Sequence, residues 1–216
     1  MSREAELYCR CREVRGRVKD ASPETANRVV CYCDDCQAFL QHLGRTDLLD
    51  DHGGTDIVQV APASLTFDRG SERIVGVRLS PKGLYRWYAS CCKTPLGNSV
   101  VPAIPFVGIV AQVFDGTGAT ADAVFGKPAG AIWGKFAIGT APEGSTKLNL
   151  GLIARSVRKI FGWRFGGKTW PHPFFDRATR LPRYPLTTLS RAERDALRSH
   201  CGPHPSSSAE NASSVS

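Results

Sequence analysis

The sequence predicts a mainly β protein built of short antiparallel strands, with helices gathered toward the C-terminus. Three observations carry that expectation. Apolar and polar residues alternate with a period of two in several runs between residues 13 and 114. Glycine and proline separate those runs at short intervals, and a long helical period appears only from about residue 150. At 216 residues with 42% hydrophobic composition, the chain is long enough for one buried core and falls within the size range of a single domain.

Taken in order, Val14, Gly16 and Val18 alternate with Glu13, Arg15 and Arg17, the pattern of a strand with one buried face, and the run stops at Ala21-Ser22-Pro23. Arg28 to Tyr32 reads as a strand that runs straight into a cysteine cluster. Gln37 to Leu43 has the composition of a short helix closed by Gly44. Strand-like runs follow at Asp56 to Val60, Ser64 to Asp68, Arg73 to Leu79 and Leu84 to Tyr88, separated by Pro62, Gly70 and Pro81-Lys82-Gly83. Phe106 to Phe114 reads as a further buried strand, and from Gly116 to Gly144 no period identifies an element. Leu150, Ile153, Val157, Ile160 and Phe161 then recur at helical spacing with Arg155, Arg158 and Lys159 on another side, which is a basic amphipathic helix. Ser190 and Glu193 carry the signature of a capping box opening a helix to about His200, and from Gly202 the Ser/Pro-rich composition predicts disorder. The expected organisation is a cysteine-rich β domain over residues 1–115, an extension over 116–200 packed on it, and a tail over 201–216.

Composition excludes several classes. The opening residues contain no apolar run to serve as a signal sequence, so the eight cysteines are expected to be reduced thiols in a cytoplasmic protein rather than a disulfide framework. Phe106 to Phe114, the most hydrophobic stretch, is too short to span a membrane. The net charge of +8 is local: residues 155–183 hold eight basic groups against Asp176 alone, while the rest of the chain is nearly balanced. That segment interleaves its cations with Phe161, Trp163, Phe165, Trp170 and Phe174, the ingredients for contacting single-stranded nucleic acid or an anionic surface. Core aromatics beside a solvated basic face account for the same pattern, and Gly166-Gly167, Pro171 and Pro173 argue against one continuous binding helix.

Seven of the cysteines fall in three clusters: Cys9 and Cys11; Cys31, Cys33 and Cys36; and Cys91 and Cys92. Zinc takes four thiolate or imidazole ligands in a tetrahedron, and ligands one or two residues apart wrap one ion with a tight turn. The middle cluster supplies three with no local fourth, which describes an open site, for which His42 and Cys91 are the first candidates to fill the vacancy. The first and third clusters can close a second, structural site if the fold brings them together. Asp34 and Asp35 read as turn residues, and Cys201, between His200 and the tail, reads as incidental to metal binding.

The motifs resemble a known family. Leu7 to Arg15 is similar to a Cys-x-Cys-Gly-x-Val-Arg strand turn, Cys31 to Gln37 to a Cys-x-Cys-x-x-Cys-Arg loop, and Ser90 to Leu96 to a Cys-x-x-Cys-Gly-Thr-Pro-Leu closing knuckle. These are the motifs of the glutathione-dependent formaldehyde-activating enzymes, grouped with centromere protein V and sharing an Mss4-like β-tent fold with zinc knuckles. The resemblance covers residues 7–98. It implies two zinc ions: a structural one matched by Cys9, Cys11 and Cys92, and a second held by Cys31, Cys33 and Cys36 with its fourth position open to glutathione, whose addition to formaldehyde such a site promotes. Ala89 stands where the family has the first cysteine of the closing knuckle, Cys91 is shifted two residues on, and Lys93 replaces a glycine.

Two functions follow as expectations. One is a carbon–sulfur lyase type of activity, in which a small thiol at the open zinc adds to or leaves an aldehyde, with Arg28 and Arg45 as candidate cations offsetting the charge of the thiolates and of the bound co-substrate. The other is a non-enzymatic, zinc-stabilised platform from which the basic segment 155–183 contacts an acidic partner.

Overall fold

A computed structural model describes residues 3–115, 120–147 and 149–203. The first strands are β1 (Ala5–Tyr8), β2 (Arg15–Val18) and β3 (Asn27–Cys31), followed by helix α1 (Asp34–Leu43). Then come β4 (Thr55–Val60), β5 (Leu65–Arg69), β6 (Ile74–Arg78), β7 (Tyr85–Ala89), β8 (Thr94–Ser99) and β9 (Val107–Val110). The C-terminal half contributes α2 (Ala121–Phe125), β10 (Ala131–Ile132), α3 (Leu150–Phe165), β11 (Leu186–Thr188) and α4 (Arg191–Arg198). The expected mainly β architecture with C-terminal helices is what the chain adopts.

The strands form a three-stranded sheet in the order β1-β2-β5 and an eight-stranded sheet in the order β10-β3-β4-β9-β8-β7-β6-β11. All pairings are antiparallel except two. β10 joins β3, and β11 joins β6, in parallel. Both exceptions lie at the sheet's edges and both come from residues beyond 116, so the extension completes the larger sheet at each end and protects edges that would otherwise be left unpaired. β1 and β8 escape the period-two reading because of their composition and length. β1 has only four residues, and β8 is buried along both faces, so it shows no alternation. Pro95 is tolerated there because it falls at the register shift opposite Trp87 and Tyr88, where a missing amide donor breaks no regular ladder. The predicted strand Phe106 to Phe114 is shorter than expected. It ends at Val110, and Ala111–Phe114 turns into a short 3-10 helix that buries Val113 and Phe114 and sets Phe114 5.0 Å from the Phe125 ring.

Helix α1 starts three residues earlier than its composition predicts, directly after Cys33, and ends at Gly44, whose left-handed φ of 63° lets its amide reach Gln41 O. Asp34 and Asp35, expected in a turn, form the acidic first turn of this helix and pair with Arg198 of α4. The capping box predicted for α4 is present, with the Ser190 and Glu193 side chains each bonded to the other's backbone amide. Packing continues past α4: Cys201 and Gly202 are buried, and the Gly202 amide donates to Gln37 Oε1 at 2.9 Å. Most of the predicted disordered tail, residues 204–216, lies outside the described residues.

The core centres on Trp87 of β7, whose indole donates to Ser99 Oγ at 2.9 Å and stacks on Phe174 at 4.7 Å. Phe175, Tyr85 and Tyr184 surround the same indole. Across the sheet from Trp87 stands Gly76, where an added Cβ would come within 2.7 Å of the ring. The aromatics of segment 155–183 therefore divide. Trp163, Phe174 and Phe175 are core, and Phe161 and Phe165 on α3 face solvent. Among the described residues, no helix is long and apolar enough to cross a membrane.

His172 is fully enclosed beside this aromatic cluster. Its Nδ1 accepts from the Phe174 amide at 3.2 Å while Nε2 has no partner. Burial, helped by the charge of Arg183, lowers its pKa from 6.5 to about 3. A histidine held neutral in the fold but free to charge once unfolded contributes stability above pH 6.5 that is lost as the pH falls toward 3. Between pH 7 and pH 5 the loss is about 2 kcal/mol. Urea midpoints for the wild type should fall more than those of His172→Leu over that interval, and equal slopes would show that the ring charges in place. Because both proteins carry the same thiols, thiol titration cancels in the difference.

Candidate metal centres

Two hairpin turns create the first centre. Cys9 and Cys11 lie in the connection from β1 to β2, where the Cys9 amide donates to Val14 O and the Arg12 amide donates back to Cys9 O. Cys91 and Cys92 lie in the connection from β7 to β8, where the Lys93 amide donates to Ala89 O. Arg12 and Lys93 both adopt left-handed conformations, with φ of 63° and 56°, at positions where the resembled motifs carry glycine. The two turns are tied by the Arg10 amide, which donates to Thr94 Oγ1 at 3.0 Å.

This juxtaposition brings all four sulfurs of Cys9, Cys11, Cys91 and Cys92 within 4.8 Å of one another. Individual separations are 3.5 Å for Cys9 and Cys11, 4.0 Å for Cys9 and Cys91, 3.3 Å for Cys11 and Cys91, and 3.9 Å for Cys91 and Cys92. A metal–sulfur bond of about 2.3 Å in a tetrahedron requires sulfur edges of about 3.8 Å, so the four thiols already fit such an ion. Cys91 thus stands as the fourth member of the group, and Ala89, two residues earlier, is wholly buried as the last residue of β7. Within this group Cys92 is the thiol drawn toward ionisation. Burial opposes its charge, but hydrogen bonding from Thr94 and Cys11 outweighs that and brings its pKa down to about 6.

The second centre is the junction between β3 and α1. Cys31 ends the strand, Cys33 is the residue before the helix, and Cys36 lies in its first turn, with the Cys36 and Gln37 amides both directed at Cys33 O. The three sulfurs lie within 4.8 Å of one another and form the second candidate metal group among the described residues. A helix N-terminus favours thiolate over thiol. Cys36 is the anionic member: hydrogen bonds from Cys31 and Cys33 hold it well below the ordinary thiol range, while hydrogen bonding with Cys33 and Cys36, and burial, push Cys31 well above it.

The cation beside this triplet is Arg86, a residue singled out by no sequence pattern. It enters from β7 and is 2% exposed. Its Nη1 lies 3.7 Å from Cys36 Sγ, and its guanidinium lies over the Phe39 ring at 5.4 Å. Burial works against its charge, yet the negative potential of Cys36 and Cys33 more than offsets that penalty, so the guanidinium is firmly protonated. The signal that could have found it is an arginine inside the aromatic strand Tyr85-Arg86-Trp87-Tyr88, since arginine is rarely buried without a partner.

The two arginines singled out from sequence are committed elsewhere. Arg28 is clamped by Asp56 at 3.0 Å, by Asp122 and by Gly126 O, so it ties β3 and β4 to α2. Arg45 forms a paired contact with Asp47 at 2.8 and 2.9 Å and lines, with Cys9, Arg10 and Arg12, a cavity of about 250 Å³ beside the four-cysteine centre, leaving its buried Nη1 without a partner. His42 sits in the last turn of α1 against Tyr88, with ring centroids 6.4 Å apart, and belongs to neither thiol group. Cys201 is buried among apolar residues under α4 and likewise joins neither.

The profile of a protein family described as being of unknown function, DUF6151, matches residues 1–181. Among curated proteins, none matches the chain significantly. A solved crystal structure of a Rhodobacter sphaeroides protein is similar at 16% identity over 51% of this chain and 88% of that one, with a TM-score of 0.37, a likeness too distant to carry an argument.

Proposed function

We propose, from the premise that the chain belongs to the DUF6151 family of unknown function, that it is a two-zinc protein in which one ion is structural and the other binds a small thiol. The observation that carries this reading is the difference between the two centres. Four sulfurs surround one position, whereas three sulfurs and a buried arginine surround the other. Zinc suits both donor sets, being at home with thiolate ligands and four-coordinate. When bound at the triplet, such an ion supplies a fourth position suited to a soft thiolate such as that of glutathione. The resemblance to glutathione-dependent formaldehyde-activating enzymes favours the same assignment and an Mss4-like arrangement of the strands.

The roles of the protein's own groups follow from their placement. Cys31, Cys33 and Cys36 set the geometry, the N-terminus of α1 and Arg86 offset the accumulated negative charge, and Gln37 fixes the loop by donating to Tyr32 O and Phe136 O, each at 2.8 Å. Addition of a held thiol to an aldehyde forms one sulfur–carbon bond, moves the carbonyl π pair onto oxygen and delivers the thiol proton to that oxygen. The reverse is a carbon–sulfur lyase reaction.

Cobalt substitution tests the vacancy. Glutathione added to the cobalt protein is expected to change the sulfur-to-cobalt charge-transfer absorption of half the bound metal and leave the other half unaltered. An unchanged spectrum at saturating glutathione and at high concentrations of smaller thiols would remove the thiol-binding role.

A further inference from the structure

Helix α3 is held to the body by a narrow face. Leu152 and Trp163 are its buried residues, Asn27 donates to Ser156 Oγ at 2.9 Å, and Arg155 donates to Asn27 Oδ1 at 3.0 Å and Pro23 O at 3.2 Å. The opposite face carries the apolar stripe that the sequence makes conspicuous. Leu150, Val157, Phe161 and Phe165 are 69%, 44%, 56% and 84% exposed, and the rings of Phe161 and Phe165 stack on each other at 6.1 Å. A single exposed apolar side chain is ordinary, but a row of them along one helix face is not.

The charge around this stripe has one sign. Helical geometry places Arg158 on one flank and Arg164 on the other. No acidic residue occurs between Glu143 and Asp176. At the N-terminal end of α3, Ile153 of its first turn, exposed Trp133, Ile132, Lys135 and Lys147 border a cavity of about 350 Å³, which continues the mixture of apolar and cationic groups. The helix, 16 residues long and so about 24 Å, stands out as a ridge. A folded acidic partner would have to supply a groove for it. A bilayer surface needs only a plane of anionic headgroups over hydrocarbon, which matches an apolar ridge with a cation on each side.

We propose that α3 docks this protein on an anionic phospholipid bilayer, lying in the interface with Leu150, Val157, Phe161 and Phe165 inserted and Arg158 and Arg164 at the phosphates. The surface is separate from both thiol centres, so it stands or falls independently of the thiol-binding reading.

Co-sedimentation of the full, metal-loaded chain with phosphatidylcholine vesicles, with and without phosphatidylserine, tests it. Binding is expected only to the serine-containing vesicles at low ionic strength and should fade as salt rises. F161S/F165S should abolish it and R158Q/R164Q should weaken it on the order of tenfold or more. All four side chains are exposed, so far-UV dichroism and metal content should match the wild type. Failure of the wild type to bind anionic vesicles, or equal binding by F161S/F165S, would overturn the proposal. So would retention on polyglutamate or single-stranded nucleic acid without vesicle binding. A dimer that F161S/F165S converts to monomer, again without vesicle binding, would overturn it too and assign the face to a second copy of the chain.

Discussion

Cys11→Ser is expected to unfold most of the protein at ordinary temperature and to release the ion of the four-cysteine centre. The side chain is exposed and touches only the neighbouring thiols of Cys9, Cys91 and Cys92, so without a metal the isosteric change would cost no more than about 0.5 kcal/mol. As one of four thiolates closing a metal site between two hairpins, it would contribute instead to a metal-binding free energy of about 10–16 kcal/mol, as large as the whole stability of a typical domain, about 5–15 kcal/mol. Cys33→Ser at the triplet should also release an ion but leave a cooperative thermal transition, because β3 and α1 remain joined to the sheet and to α4 through other contacts. Metal analysis with melting curves on the two variants measures this. A Cys11→Ser protein that melts within a few degrees of the wild type would rule out a structural ion there.

Arg86→Met is the second large effect, and its sign carries the information. Replacing a buried charge by an apolar side chain of similar volume is neutral or stabilising when the charge has no true counterpart. If the triplet is an anionic metal–thiolate centre, the same replacement strands that negative charge in the interior at a cost of about 3–5 kcal/mol. Metal at the triplet should then be held at least about a hundredfold more weakly. Chelator competition against the two centres should show the loss at the triplet alone, with Arg86→Lys recovering part of it. A variant that keeps its metal and melts higher than the wild type would mean that the triplet carries no net negative charge.

What the sequence disclosed about these centres depended on how local each one is. Three thiols within the six residues Cys31 to Cys36 announce themselves. The four-cysteine centre joins residues some eighty positions apart; the clustering allowed its two halves to close one site, and only the motif resemblance implied that they do. Arg86 sits conspicuously in an aromatic strand, but its pairing with Cys36 is not legible, because that partner is 50 positions away and no spacing rule relates the strand to the helix. The same limit applies to α3. Periodicity places Leu150, Val157 and Phe161 on one face, but it does not say whether that face turns inward, and here the body is held by Leu152, Ser156 and Trp163 instead. The strands that went unseen were those too short or too evenly buried to alternate, β1, β8, β10 and β11.

Arg198 of α4 bonds to Asp34 and Asp35, the two residues between Cys33 and Cys36, and Gly202 bonds to Gln37. The end of α4 and Gly202 are therefore a brace on the loop that spaces the three thiols. Two equilibria are linked through that brace, undocking of the C-terminal helix and release of metal from the triplet, and linkage is reciprocal. An ion at Cys31, Cys33 and Cys36 is expected to slow proteolysis at α4. A fusion, tag or truncation that pulls α4 away makes the triplet a weaker ligand, although none of its sulfurs has been touched.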